Sequence, residues 1–491
     1  MKVSTTTATG FCRVTVVAPD SRIDVALPVD IAVADIYPEI LRLTGQTQPV
    51  GTPTGYHLVR RDGRVLDGAR TLADERVLDG EVLGLRPFAE SLPPAVHDDV
   101  SDAVASAVVR DRHLWSEDLL RIAGLTGGAL LLLLCGFVLW YADPVRHDMH
   151  GLPGVLAGGL GVLLTAFAGV RARVYADRAA AVAVGLGALP LLMIAGSGIV
   201  APADGQGPGK LQFLLGCAVL LVASLVLVVL TPGGDAPFVA AGLLAAAGTL
   251  AAFVALLADA SATEAASVCA PVALGLVAFL PGLSARFARL PIGYAPPRSA
   301  SQDAFDPDAP PAADAEPLDA ERIAAQARRG HEMLLGLVGG TSAVVVAAAA
   351  VLGFSDDVWA QLLALAAGLA MLIRARLFRY TSQVTCVLAA GLATIALLLL
   401  GLALNPPTGA LTEFVLHDDR GALDLRTAWL TAAVAAGAAL ITAIGLIVPR
   451  KGLSPFWGRF LDLTEGAVLL VLVPLCLAVL GVLSDVRSML G

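Results

Sequence analysis

Residues 211–230 read LQFLLGCAVLLVASLVLVVL, twenty positions without one charge. A helix needs about 20 predominantly apolar residues to cross the hydrocarbon core of a bilayer, and this run has that length. Outward from it the pattern repeats. Apolar segments of spanning size lie near 121–141, 151–171, 179–200, 211–230, 236–258, 264–283, 332–353, 357–373, 382–404, 427–448 and 463–484. The glycine-rich third and the short eighth are the least regular. The chain is 56% hydrophobic and 15% charged, with a mean hydropathy of +0.76; soluble domains carry about 25% charged residues. The reading is an α-helical polytopic membrane protein of eleven transmembrane helices.

Loop charges orient the bundle. With the N-terminus inside, the inner loops carry Arg171, Arg173 and Arg178, then Arg286, Arg289, Arg298, Arg322, Arg328 and Arg329, then Arg374, Arg376 and Arg379, then Arg450, Lys451 and Arg459. The outer loops and tail carry little beyond Arg146, Lys210, Arg420 and Arg487. Positive residues mark the cytoplasmic side, so the expected topology is N-terminus cytoplasmic and C-terminus outside. No basic region followed by an apolar core opens the chain, so insertion is expected to start at the first internal apolar helix.

The first 90 residues differ in kind. CRVTVVAPDSRIDVALP (12–28) alternates Val14, Val16, Ala18 and Ile23, Val25, Leu27 with polar neighbours, the period of half-buried strands around a Pro-Asp-Ser turn. Ile36, Ile40 and Leu43 then recur at helical spacing before Gly45, with Pro38 expected in the first turn. YHLVRRDGRVLD (56–67) reads as strand, Asp-Gly turn, strand. TLADERVLDGEVLGLRP (71–87) supplies a second Asp-Gly turn and a last strand. The order resembles the ubiquitin-like β-grasp, an α+β fold. A small unrelated α+β domain is the alternative.

Two connecting segments complete the plan. Residues 91–120 read as a linker helix with Val96, Val100, Val104 and Val108 on one stripe and aspartates off it. An acidic polar face disfavours anionic lipid and favours a protein partner. The expected domains are therefore 1–90, the linker 91–120, helices 1–6 in 121–284, a cytoplasmic loop 285–331, and helices 7–11 in 332–491. That loop is Pro- and Asp-rich, then Ala- and Arg-rich from Asp319 to Arg329. A solvated tether and a docking peptide both fit its composition.

What the sequence lacks narrows its function. Residues 1–118 hold 12 Lys and Arg against 18 Asp and Glu, too acidic a balance for nucleic acid. Five of six cysteines sit in apolar runs with no CxxC or Cys/His cluster, so neither a metal nor a disulfide framework is indicated. GQGPGK (205–210) misses the phosphate-loop spacing, and His331-Glu332 has no second histidine in register. No ionisable residue is expected well inside a spanning segment, although ion-coupled transporters and intramembrane enzymes place such groups at membrane depth. No catalytic residue, cofactor or metal site emerges. Small residues do recur, with GxxxG pairs at Gly124/Gly128 and Gly154/Gly158 as candidate helix-packing positions.

A ubiquitin-like start, a linker helix and eleven helices with a long loop after the sixth together resemble EccD, the multi-spanning core component of actinobacterial type VII (ESX) secretion systems. RARLFRY (374–380) is similar to the family's basic R-x-R-aromatic segment, and SPFWGRFLDLTEGAVLLVLVPLCLAVLGVLSDVR (454–487) to its last-helix pattern. Ala478 departs from it, standing where the family often carries tryptophan.

The resemblance implies a non-enzymatic, channel-framing subunit of an inner (plasma) membrane secretion complex. It implies a homodimer surrounded by membrane lipids, contacting an EccC-like ATPase and EccB-like and EccE-like subunits. Energy would then come from the ATPase. By position, Arg322, Arg328, Arg329, Arg374, Arg376 and Arg379 are the candidate partner contacts; for the last three, anchoring by the positive-inside effect is the competing reading. A stand-alone secondary transporter with a regulatory domain is the alternative function, and it predicts midplane charges and an internal repeat.

Overall fold

Alternation makes the first strands. In β1 (Phe11–Val17), Cys12, Val14 and Val16 are buried while Phe11, Arg13 and Val17 face out, as the two-residue period of a pleated strand requires. β2 (Arg22–Pro28) returns antiparallel, with Val14 opposite Val25. β3 (Tyr56–Arg60) and β4 (Glu81–Pro87) are also antiparallel, and β4 runs parallel to β1. The sheet order β2-β1-β4-β3 with α1 (Val33–Thr44) crossing it is a ubiquitin-like β-grasp. Val33, Ile36 and Ile40 of the helix close the core over Leu58, Leu72, Leu83 and Leu85.

The computed structural model describes residues 10–19, 21–46, 55–87, 116–289, 320–451, 454–482 and 488. It divides the chain into two compact units, Met1–Trp115 and Ser116–Gly491. Most of the segment read as a linker helix lies outside the described residues.

Two local expectations need correction. Pro38 sits in the second turn of α1, because the helix starts at Val33. The N–H groups of Val33 and Ala34 donate to the carbonyls of Arg70 and Gly68, so a tertiary cap permits the early start that no side chain signals. The hairpin at 56–67 keeps its turn, with Gly63 at φ +88, but its return limb is a single bridge between Val59 and Val65. The chain turns away there so that Leu66 enters the core, and β4 takes the place beside β3.

The second unit is all helix: α2 (Glu117–Trp140), α3 (Leu152–Arg173), α4 (Arg178–Ser197), α5 (Lys210–Leu230) and α6 (Ala236–Leu257) come first. α7 (Ala262–Leu276) runs through a 3-10 turn into α8 (Leu280–Phe287), where Pro281 lacks the N–H to continue the α-ladder. α9 (Ala320–Gly353), α10 (Val358–Arg374), α11 (Thr381–Leu404), the short α12 (Thr408–His417), α13 (Gly421–Lys451) and α14 (Pro455–Val479) complete it. Among the described residues eleven spans are long and apolar enough to cross a membrane. Side-chain caps start several: Ser116 accepts from Leu119 N–H, Asp177 from Ala180 N–H, and Ser261 and Glu264 form a reciprocal box.

Packing divides into two cores. One gathers α3 to α6 around Leu189, Leu227 and Phe238; the other gathers α7, α9, α10 and α11 around Leu274, Leu352 and Leu363. Three boundaries differ from the hydropathy reading. α9 begins at Ala320 and absorbs the Ala- and Arg-rich end of the loop. α12 lies in a stretch too short and polar to register as apolar. α14 begins eight residues before its apolar run, so Glu465 is the eleventh residue of the helix.

Candidate functional site

Glu465 lies near the start of the apolar run of α14, and its neighbours at the end of α10 explain how the charge is tolerated. Glu465 Oε1 accepts from Arg374 Nε at 3.1 Å, and Oε2 accepts from Arg376 Nη2 at 2.9 Å. Arg376 Nη2 also lies 2.7 Å from Asp462 Oδ1, one turn earlier on α14. Arg374 Nη1 donates to the carbonyl of Leu274. That carbonyl lies in the last turn of α7 and also accepts the Val277 N–H, so the arginine adds a second, charge-assisted bond to it. The side chains of Arg374 and Glu465 are 9% and 13% exposed. Two arginines and two carboxylates thus make a neutral cluster that ties α10 and α14 to the end of α7.

The six candidate partner arginines fare differently. Arg374 and Arg376 are engaged inside the chain, as is Arg329, whose Nη2 lies 3.4 Å from the buried Asp235 Oδ2 at the start of α6. Arg328 and Arg379 are exposed, and no described residue pairs with either. Arg322 lies in the first turn of α9. The first half of α9 and the turn after α10 meet: the His331 and Tyr380 rings lie 4.3 Å apart. Exposed arginines therefore flank one contact at the arginine-bearing end of the bundle. A second ionic knot at that end joins Asp177 to both Arg121 and Arg171. The Ala180 N–H, Arg171 and Arg121 hold the Asp177 carboxyl below its ordinary value, against a smaller opposing effect of burial.

The glycine pairs separate as sharply. A Cβ on Gly154 would lie 2.5 Å from the Met149 carbonyl oxygen, and one on Gly158 would lie 3.3 Å from Ala195 Cβ. That pair serves packing between α3 and α4 inside one chain. Gly124 and Gly128 on α2 meet nothing within 4 Å. Among the described residues no group of three or more His, Cys, Asp or Glu side chains could hold a metal ion. Sequence reasoning missed Glu465 and Asp462; their i, i+3 spacing on the run FLDLTEG was the available signal.

Comparison with known proteins agrees with this architecture. The family model described as EccD-like transmembrane domain matches residues 120–489. The model described as WXG100 protein secretion system (Wss), protein YukD, matches 11–85. The chain is 27% identical over 493 residues to the ESX-4 secretion system protein eccD4 of Mycobacterium tuberculosis strain CDC 1551, covering 98% of each chain; the strain H37Rv protein matches equally. Among solved structures, protomer 1 of the ESX-3 core complex aligns with a TM-score of 0.58 at 20% identity, over 97% of this chain and 100% of that one. A chain of a MycP5-free ESX-5 inner membrane complex aligns at 0.52 and 22% identity, over 88% and 99%. These structures share the fold. With its eleven spans and a family match over three quarters of its length, the chain belongs to the EccD-like family of multi-spanning membrane proteins.

Proposed function

We propose that this chain is a non-enzymatic, channel-framing subunit of an inner-membrane type VII secretion complex. It would dimerise in the membrane and dock an ATPase and further core subunits through its ubiquitin-like domain and the arginine-bearing end of its bundle. The observation that carries this reading is α13. Its most apolar stretch has a mean hydropathy of 2.2, and none of that stretch is buried. The helix packs against little but the short α12. Arg426, near its start, bonds the Leu402 and Asn405 carbonyls, and Asn405 O is 2.9 Å away. Lipid supplies no hydrophobic force between helices, so among the described residues little fixes the rest of α13 in place. A neighbouring subunit would.

The names of the relatives support the same assignment: they are components of ESX secretion systems. Exposed Arg328 and Arg379 beside the His331–Tyr380 contact present cations for a cytoplasmic partner, with the N-terminus inside and the C-terminus outside. Glu465 is the feature a transporter would want, but its carboxylate is saturated by two arginines.

Affinity purification in mild detergent tests the proposal. Co-purification with a protein of several ATPase domains at high mass is the expected outcome. A lone monomer whose melting temperature rises with a small-molecule substrate would instead establish the transporter. The topology is tested separately: a reporter fused after Gly491 should be active outside the cell.

A further inference from the structure

The two cores of the bundle join along α6 and α9, and that seam is closed at one end only. Near the arginine-bearing end, Gly336 and Gly340 of α9 let the helices touch. A Cβ on either would lie 2.7 Å from Val239 Cβ or Leu243 Cβ. One to three turns further on, α9 presents Val344, Ala348 and Val351 to a cavity of about 610 Å³ that α5, α6 and α7 complete. Interiors rarely leave voids larger than a water molecule, and pockets for organic ligands measure about 300–1,000 Å³. This one is nearly all apolar and rich in alanine.

Its shape follows the membrane. The wall on α5 runs from Lys210 to Leu220, about 15 Å at the helical rise and so half of the about 30 Å hydrocarbon core. The mouth lies at the end opposite the arginine clusters, where Lys210 opens α5. Lys210 Nζ is 2.7 Å from the exposed Asp259 Oδ1, and Lys210 holds the Asp259 carboxyl below its ordinary value. Glu264, four residues from the cavity-lining Ala260 and bonded to Ser261 N–H at 2.6 Å, adds a second carboxylate near the rim. The rim therefore holds both signs of charge, with a cation outnumbered by carboxylates.

We infer that this cavity holds one acyl chain of a phospholipid whose headgroup carries both a phosphate and an amine. The chain fills the gap between the two cores through one leaflet. The phosphate meets Lys210 and the amine meets Asp259. A headgroup with a phosphate but no amine would leave Asp259 unpaired and bring a third negative charge to the rim. The inference does not depend on the assembly proposed above, because every lining residue comes from a single chain.

Native mass spectrometry of the full chain, released from nanodiscs holding equal palmitoyl-oleoyl phosphatidylethanolamine and phosphatidylglycerol, tests it. The expected result is one retained phosphatidylethanolamine per chain. Filling the cavity with Ala251→Phe and Ala347→Phe should lower that retention about tenfold, since the buried chain supplies most of the affinity. Lys210→Gln should lower it about threefold, the effect of a partly exposed ion pair. Unchanged retention in the filled variant, or equal retention of phosphatidylglycerol by the wild type, would overturn the assignment.

A second reading needs no substitution. Cys217 and Cys269 both line the cavity as free thiols. Added phosphatidylethanolamine should slow their alkylation by an apolar maleimide, and phosphatidylglycerol should not. Alkylation at the same rate with and without phosphatidylethanolamine contradicts the proposal.

Discussion

Helix α10 has a mean hydropathy of 1.7 and buries half of its most apolar stretch; α13 reaches 2.2 and buries none. In water the more apolar helix would go inside. In lipid the order can reverse, because both faces are equally content with acyl chains and position is set by close packing and polar ties. α10 has both. Ala360, Ala364, Ala367 and Gly368 give it a smooth face, and Arg374 fastens its end to α7 and α14. α13 carries a comparable supply of alanine, and among the described residues little but the short α12 is laid against it. One helix is packed and tied within the chain, and the other leaves its apolar surface open.

The largest effect should come from cutting the tie on the packed side. Glu465→Ala leaves Arg374 buried without a counter-charge, which costs about 3–5 kcal/mol for a broken buried pair. It should be read as a fall in melting temperature in detergent. Asp462→Ala, whose carboxylate is largely exposed, should cost under about 1 kcal/mol. If the two variants melt alike, the cluster is a surface feature and the contrast with α13 loses its basis.

Glycines sharpen the contrast at a smaller scale. Gly154→Leu forces a side chain against the Met149 carbonyl and should destabilise the isolated chain by about 1–3 kcal/mol. Gly128→Leu enters open space and should shift it by no more than about 0.5 kcal/mol. The Gly128 variant should nonetheless lower the yield of cross-linked dimer if α2 packs against another subunit.

Acid offers the mildest test. The Asp177 carboxyl titrates below its ordinary 3.8 in the folded chain, held there first by the Ala180 N–H and then by two arginines. Its stabilising contribution is complete above the unfolded value and disappears as pH falls through the lower folded one. Asp177→Asn should remove that part of the acid-induced loss of melting temperature while lowering stability at neutral pH.

Much of this was readable in the sequence, for identifiable reasons. The period-two burial of Val14 and Val16 and the uncharged run at 211–230 are local signals, and the strands and spans follow them closely. Pairings were less accessible. Glu465 and Arg374 are 91 residues apart, and nothing local announces that a carboxylate on one helix answers an arginine ending another. The early start of α1 depends on carbonyls of Gly68 and Arg70, again supplied by distant chain. Gly124/Gly128 and Gly154/Gly158 look alike as strings, and only the neighbours of each pair tell them apart.

Whether α13 is completed by another protein is the most direct question to ask of the molecule. A photo-crosslinking residue placed in turn at Val434, Leu440, Ile444 and Ile447, all exposed along α13, can be irradiated in native membranes. The account predicts a discrete protein adduct from the positions on one side of the helix, at the mass of this chain plus a second subunit. Lipid adducts alone from all four positions would contradict it.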